Sequence, residues 1–371
     1  MIELKGKFNM AKVFTDNIEA SAVGQITNML NLEFVSDSKI RIMPDVHMGA
    51  GCTIGTTMTI TDKIVPNWVG VDIGCGMETV RLKESHIELT QLDKAIKLQI
   101  PAGFEVRKKA HHYADQLDLN KLVCAKHMKI DRALLSIGTL GGGNHFIELC
   151  KDENDSYWLT VHSGSRNLGK QIAEHYQNKA AKEMKTRKTG IARELAYVDG
   201  ELFENYLFDA KLAQEYATLN RKAMIKVIQK ALGVTIEDSF STIHNYIDMS
   251  DEKNRILRKG AISAKEGERV LIPLNMRDGS LLCVGKGNPD WNFSAPHGAG
   301  RLMSRSEAKS KITLPQFEET MKGIYSTTIN RNTIDEAPFA YKPTEEITNY
   351  ISDTVDIISI LRPVYNFKAA E

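Results

Sequence analysis

Apolar residues in the first eighty positions come in short, interrupted runs. Ile40-Arg41-Ile42-Met43 alternates and stops at Pro44, and Thr53–Ile60 is β-branched and broken by Gly55, so this region predicts strands. Thr90–Ile100 changes period: Leu92, Ile96 and Leu98 share one side, Thr90 can cap, and Pro101 stops the run, which predicts a helix. Leu134–Cys150 reads as strand, glycine-rich turn, strand, and Trp158–His162 as a short buried strand closed by Ser163-Gly164-Ser165. Residues 167–232 lack proline and are rich in Lys, Glu, Gln and Ala. Tyr216, Leu219, Met224, Ile225 and Ile228 fall close to helical spacing there. Strand signals return at Thr242–Ile247, Ala261–Ala264, Val270–Pro273 and Leu281–Val284, and Thr313-Leu314-Pro315 opens another helix. Chemically loaded segments lie on both sides of the helical stretch. The pattern therefore predicts an α+β chain, one interwoven catalytic domain over residues 1–371 with a helical insertion at about 167–232.

Composition narrows the class. Charged residues are 26% and hydrophobic ones 42% of 371 residues, which is ordinary for a globular protein. Lys plus Arg is 48 and Asp plus Glu 47, a net charge of +1, so a nonspecific polyanion binder is disfavoured while one local basic groove remains open. Five irregularly spaced cysteines (Cys52, Cys75, Cys124, Cys150, Cys283) do not make a disulfide framework and favour a reducing compartment. The first residues carry no apolar signal core, and no stretch reaches the ~18 apolar residues of a membrane span, so a cytoplasmic protein is expected.

The chemistry is concentrated in islands set in glycine: Pro44-Asp45-Val46-His47-Met48-Gly49, Val71-Asp72-Ile73-Gly74-Cys75-Gly76, Gly141-Gly142-Gly143-Asn144-His145-Phe146, Val161-His162-Ser163-Gly164-Ser165-Arg166, His244-Asn245 and His297-Gly298-Ala299-Gly300-Arg301. Asp72 and Cys75, three apart across a tight turn, can reach one metal centre, and a thiolate can bridge two ions; Zn, Mn and Fe all suit such ligands. Taken alone they read rather as a buried cysteine beside a surface aspartate. His145, His162 and His244 stand at strand ends, and three imidazoles beside Asp-x-x-Cys favour the metal reading over three hydrogen-bonded core histidines. The spacing fits no zinc finger. His297 is surrounded by small residues and followed by Arg301 and Arg305. That suits a histidine attacking a phosphoryl centre, with a further ligand or a helix cap as the alternative. His47 serves equally well as a metal or substrate residue or as a turn former. His86, His111, His112, His127 and His175 lie in polar, helix-like contexts and read as solvated. There is no P-loop and no Rossmann fingerprint, so a nucleotide would have to be held otherwise.

Together the islands resemble the RtcB family of GTP-dependent RNA-splicing ligases, from about residue 40 to the C-terminus. The ordered motifs are Pro-Asp-Val-His, Asp-x-x-Cys-Gly, Gly-Gly-Gly-Asn-His-Phe-x-Glu, His-Ser-Gly-Ser-Arg, His-Asn, His-Gly-Ala-Gly-Arg-x-Met-Ser-Arg and Asp335-Glu336-Ala337-Pro338-Phe339-Ala340-Tyr341-Lys342. The resemblance implies an RtcB-like fold with a central β-sandwich, flanking helices and a cleft holding two Mn²⁺ ions. Asp72 and His145 would bind one ion, His162 and His244 the other, and Cys75 both. His297 would carry GMP, taken from GTP. Asn144, His145, Phe146, Glu148, Asn245, Pro273, Leu274, Asn275, Met276, Ser280, Gly298, Ala299, Gly300 and Lys368 would contact the guanylate.

The implied reaction joins RNA 3′-phosphate or 2′,3′-cyclic phosphate ends to 5′-hydroxyl ends, as in RNA repair or tRNA splicing. The implied partners are RNA and GTP, with a protein activator left open and no membrane. The chain departs from the family pattern at Pro273-Leu274-Asn275-Met276, where Pro-Gly-Ser-Met is common, and at Gly49-Ala50-Gly51-Cys52-Thr53-Ile54-Gly55, where Gly-Tyr-Gly-Phe-Pro-Ile-Gly is common; it resembles a compact, divergent bacterial branch. A metal-dependent phosphohydrolase or nuclease on the same scaffold, and a noncatalytic RNA-binding protein, are the competing readings.

Overall fold

The computed structural model describes residues 1–369 and is built around two large sheets. The first orders its strands as Ile2–Lys5, Met10–Val13, Ile40–His47, Ile54–Ile60, Arg255–Lys259 and Asn245–Asp248; its one parallel pair is Met10–Val13 with Ile40–His47. The second is antiparallel throughout and runs Ile236–Ile243, Gly76–Leu82, Tyr157–Ser163, Phe146–Lys151, Val355–Lys368, Gly279–Gly285 and Arg269–Asn275. With helices packed beside both sheets, the class is the expected α+β.

Several expected elements shift, each for a physical reason. The strand from Ile40 does not stop at Pro44 but continues to His47. Pairing with Ile54–Ile60 is irregular between Ile42 and His47, and a proline is tolerated where the ladder is already broken. The first eighty residues also contain a helix, Ala20–Leu30, with Ala22, Ile26, Met29 and Leu30 buried at helical spacing. The helix expected from Thr90 begins at Leu89, and its cap is Glu88, whose carboxylate accepts from Thr90 N. Leu134 lies within a short helix, Ile130–Ser136, rather than starting a strand. Thr242–Ile247 is two strands, one in each sheet, meeting at His244. The helix after Thr313 forms as expected, with reciprocal Thr313 and Gln316 capping and Pro315 in its first turn.

Residues 167–232 form two helices, Arg166–Thr186 and Gly200–Leu232, joined through the short strand Val198–Asp199. The longer helix buries Phe203, Tyr206, Ala210, Ala213, Ala217, Asn220, Arg221, Met224 and Ile228. It ends at Gly233 in the left-handed region (φ 69°), where a residue without Cβ carries no strain. Two polar members of its buried stripe matter most. Asn220 Oδ1 accepts from Gly138 N (2.8 Å) and Thr139 N (3.0 Å), while its Nδ2 donates to Ser163 Oγ (3.1 Å) and Gly164 O (3.0 Å). The fully buried Arg221 donates to Gly74 O (2.7 Å) and Ser163 O (3.0 Å). Adjacent side chains of one helix thus tie together the turns that carry Asp72 and Cys75, His145 and His162. All five cysteines are free and buried, and no helix among the described residues is long and apolar enough to cross a membrane.

Candidate metal and nucleotide site

The five sequence-predicted metal ligands converge. Cys75 Sγ lies 3.5 Å from His145 Nε2 and 3.3 Å from His162 Nε2; His145 Nε2 lies 3.0 Å from Asp72 Oδ2, and His162 Nε2 lies 3.4 Å from His244 Nε2. They form two groups, Asp72–Cys75–His145 and Cys75–His162–His244, in each of which the ligand atoms lie within 4.8 Å of one another. Cys75 is the shared member.

Topology explains the convergence. Gly76↔Ser163 and Phe146↔His162 are register pairs in the second sheet, so Cys75, His145 and His162 sit at the same end of three neighbouring strands. His244 enters where the chain passes between sheets, with its N–H donating to Cys75 O (2.9 Å). Asp72 Oδ1 accepts from Ser165 N (2.9 Å), and a Cβ on Gly164 would overlap that carboxylate, which is why glycine is needed there.

Hydrogen bonds set the imidazole tautomers. His145 Nδ1 donates to Leu140 O (2.8 Å) and His162 Nδ1 to Asn144 O (3.1 Å), so in the neutral ring each Nε2 presents a bare lone pair to the cluster. Acceptor then faces acceptor where Nε2 of His145 meets a carboxylate oxygen, and Nε2 of His162 faces that of His244. The first contact requires a cation or a proton between the atoms; in the second, His244 Nδ1 is buried without a partner among the described residues, so no bond fixes that ring's tautomer. The donor set of sulfur, imidazole nitrogen and carboxylate oxygen fits two divalent first-row ions. Burial, reinforced by neighbouring imidazoles, holds His162 and His244 well below the ordinary histidine range, which keeps them neutral as ligands must be. Burial, then the Asp72 charge, pushes the Cys75 thiol well up. Burial also pushes Asp72 up, but the His145 hydrogen bond and charge, with Arg166, outweigh it and hold the carboxyl below its usual value.

Beside the cluster opens a cleft of about 220 Å³. His162 and His244 lie in its wall; Asp72, Cys75 and His145 are not among the lining residues and adjoin it through the sulfur. The His297 ring is 4.9 Å from that of His244 between centroids. Its Nδ1 donates to Asp45 Oδ2 (2.6 Å), and the same oxygen accepts from His297 N (3.2 Å), so in the neutral ring Nε2 carries the lone pair, without a hydrogen bond among the described residues. Gly300, at φ 76°, packs 3.0 Å from Asp45 Cα with the Cβ it lacks, which lets the His297 loop close over this carboxylate.

Of the other predicted contacts, Asn144, Phe146, Glu148, Pro273, Leu274, Asn275, Met276, Gly298, Ala299, Gly300 and Lys368 line the cleft. The C-terminal strand brings Asn366 opposite Glu148 and Lys368 opposite Phe146. Asn245 and Ser280 do not line it. Asn245 accepts from Gly260 N through Oδ1 (2.9 Å) and from Gly74 N through its carbonyl (2.6 Å), bracing the Asp72–Cys75 turn from behind. Ser280 is buried opposite Pro273. Asn275 caps its own turn, accepting from Arg277 N and Asp278 N (both 3.0 Å).

Four functional positions had no role assigned from sequence. Asp45 is buried and orients His297; a carboxylate in one island that could pair with a histidine of another is the signal that could have found it. Asp335 and Glu336, both buried, hold the cleft cations: Arg305 Nη1 on Asp335 Oδ2 (3.1 Å), Arg301 Nη1 on Glu336 Oε1 (3.4 Å) and Lys368 on Glu336. Asn366 donates to Glu148 (2.8 Å). Burial pushes Glu336 up, but the charges of Lys368 and Arg305 outweigh it and hold the carboxyl low. Burial raises Glu148 to about 7 against hydrogen bonds from Cys150 and Asn366 and the Lys368 charge.

A family model described as tRNA-splicing ligase RtcB matches residues 25–128 and 115–369. The RNA-splicing ligase RtcB of Escherichia coli is 33% identical, with 94% of each chain covered. The tRNA-splicing ligase RtcB of Aeropyrum pernix is 28% identical, covering 92% of this chain and 90% of its own.

Proposed function

The chain belongs to the RtcB family of RNA-splicing ligases, and on that premise we propose that it seals RNA 3′-phosphate or 2′,3′-cyclic phosphate ends to 5′-hydroxyl ends through a histidine–GMP intermediate on His297, with two Mn²⁺ ions and GTP. The observation that carries the reading is Cys75 Sγ shared between two ligand groups, one of which abuts the His297 ring at 4.9 Å. Asp72, His145, His162, His244 and Cys75 would hold the ions, which when bound neutralise the triphosphate and polarise the α-phosphorus.

The chain's own residues supply the rest. Asp45 holds His297 with Nε2 free, so that this nitrogen attacks the α-phosphorus and pyrophosphate leaves; the same carboxylate stabilises the positive ring that results. Arg301, Arg305 and Lys368, fixed by Asp335 and Glu336, offer the cleft positive charge for phosphate oxygens without reorganisation. Glu148, whose two buried oxygens accept from Cys150 and Asn366, keeps further lone pairs that suit the adjacent N1–H and N2–H donors of guanine and not the acceptor N1 of adenine. GMP then passes to the RNA 3′-phosphate, and attack by a 5′-hydroxyl expels it. The reading extends to an RNA repair role in the cytoplasm.

Incubation with labelled GTP and Mn²⁺ tests the reading. It expects an acid-labile protein adduct that is lost in His297→Ala and is not formed from labelled ATP. A metal-loaded, folded preparation that hydrolyses RNA phosphates yet never becomes labelled would replace the ligase with a phosphohydrolase.

A further inference from the structure

We propose that His47 is the general base that removes the proton from the RNA 5′-hydroxyl in the sealing step. This rests on the ligase reading above and assigns a group to the one proton that sealing must move. His47 and His297 are anchored by the same residue. His47 Nδ1 donates to the Asp45 carbonyl (2.9 Å), while the Asp45 carboxylate takes His297 Nδ1 (2.6 Å). Both residues line the cleft, and each ring's hydrogen bond among the described residues is made by Nδ1, not Nε2. A histidine that only shaped its turn would not need to line a reaction cleft.

The other proton acceptors of the cleft are engaged. Glu336 is held by Lys368, Arg301 and the Tyr341 hydroxyl, and Glu148 by Cys150 and Asn366. His162 and His244 turn Nε2 toward each other in the candidate metal centre, and His297 is the nucleophile. The charged and titratable groups acting on His47 are Asp45, His297 and Arg301; burial, the largest influence, keeps the ring below its ordinary range and hence neutral at pH 7.

The balance is simple. The 5′-oxygen bonds to the 3′-phosphorus. The bond from that phosphorus to the GMP oxygen breaks, and its electron pair leaves with GMP. The hydroxyl proton goes to His47 Nε2 and then to water.

The test uses the full chain with Mn²⁺ and a preactivated RNA bearing a 3′-GMP cap, which bypasses the attack on GTP. The capped RNA is offered a 5′-hydroxyl RNA or a 5′-thiol RNA. A thiol ionises several units below an alcohol and needs no base. His47→Ala should slow sealing of the 5′-hydroxyl RNA by ~100-fold or more and seal the 5′-thiol RNA at the wild-type rate. His47→Asn, whose amide can still donate to the Asp45 carbonyl, should show the same split and guards against a collapsed turn in the alanine variant. Equal loss with both nucleophiles in both variants, or no loss with the hydroxyl, overturns the role of His47. Failure of the wild-type protein to seal the capped RNA at all overturns the ligase reading instead.

Discussion

Replacing Asp45 separates charge from geometry at the nucleophile. One oxygen, Oδ2, accepts both the His297 ring N–H and the His297 backbone N–H, while Oδ1 is buried without a partner. An asparagine here must therefore keep its oxygen at the Oδ2 position, since its NH₂ cannot accept two donors. Asp45→Asn preserves the tautomer and removes only the negative charge. A charge-assisted bond is about twice as strong as a neutral one, a loss of ~1–1.5 kcal/mol or about tenfold in rate. Asp45→Ala removes both bonds and frees the ring, for ~3–4 kcal/mol or roughly 100- to 1,000-fold. The assay is single-turnover labelling of His297 with GTP at saturating Mn²⁺. The order wild type, Asn, Ala should hold, with the largest gap between Asn and Ala. Asp45→Ala labelling within twofold of wild type would refute the claim that this carboxylate sets the nucleophile.

Asn220→Ala leaves the buried Gly138 and Thr139 amides without acceptors and should cost about 2–4 kcal/mol in urea unfolding, with weaker Mn²⁺ binding because the turns beside His145 and His162 lose their tie; unchanged stability would mean the helix does not brace the site. Glu148 titrates near 7 when folded against an ordinary 4.5. Its raised value means the native state binds the proton more tightly, so its stabilising share is full below pH 4.5 and is lost as pH rises through 7. Wild type relative to Glu148→Gln should lose about 3 kcal/mol between pH 4.5 and 8. A difference in urea midpoints that does not vary with pH would contradict the burial argument.

The site was more legible than the framework that builds it. Glycine-set Asp, Cys and His islands announce ligands because no helix or strand needs that combination, and all five proposed ligands meet. Roles that depend on pairing across the chain were not readable. Asp45 is one polar residue in an apolar strand until the His297 loop, more than two hundred residues later, closes onto it. The Val355–Lys368 strand carries Asn366 and Lys368 into the cleft only through its register with Phe146–Lys151. Asn245 and Ser280 fall outside the cleft because a neighbouring position in a motif need not face the same way in a strand. The end of the Ile130–Ser136 helix, from Leu134, was read as strand because seven residues are too few to display a helical period.

Anomalous diffraction from Mn²⁺-soaked crystals bears most directly on the two-ion centre. Two peaks should flank Cys75 Sγ, one within bonding distance of Asp72 and His145 and the other of His162 and His244. A single peak, or manganese held away from the sulfur, would contradict the account.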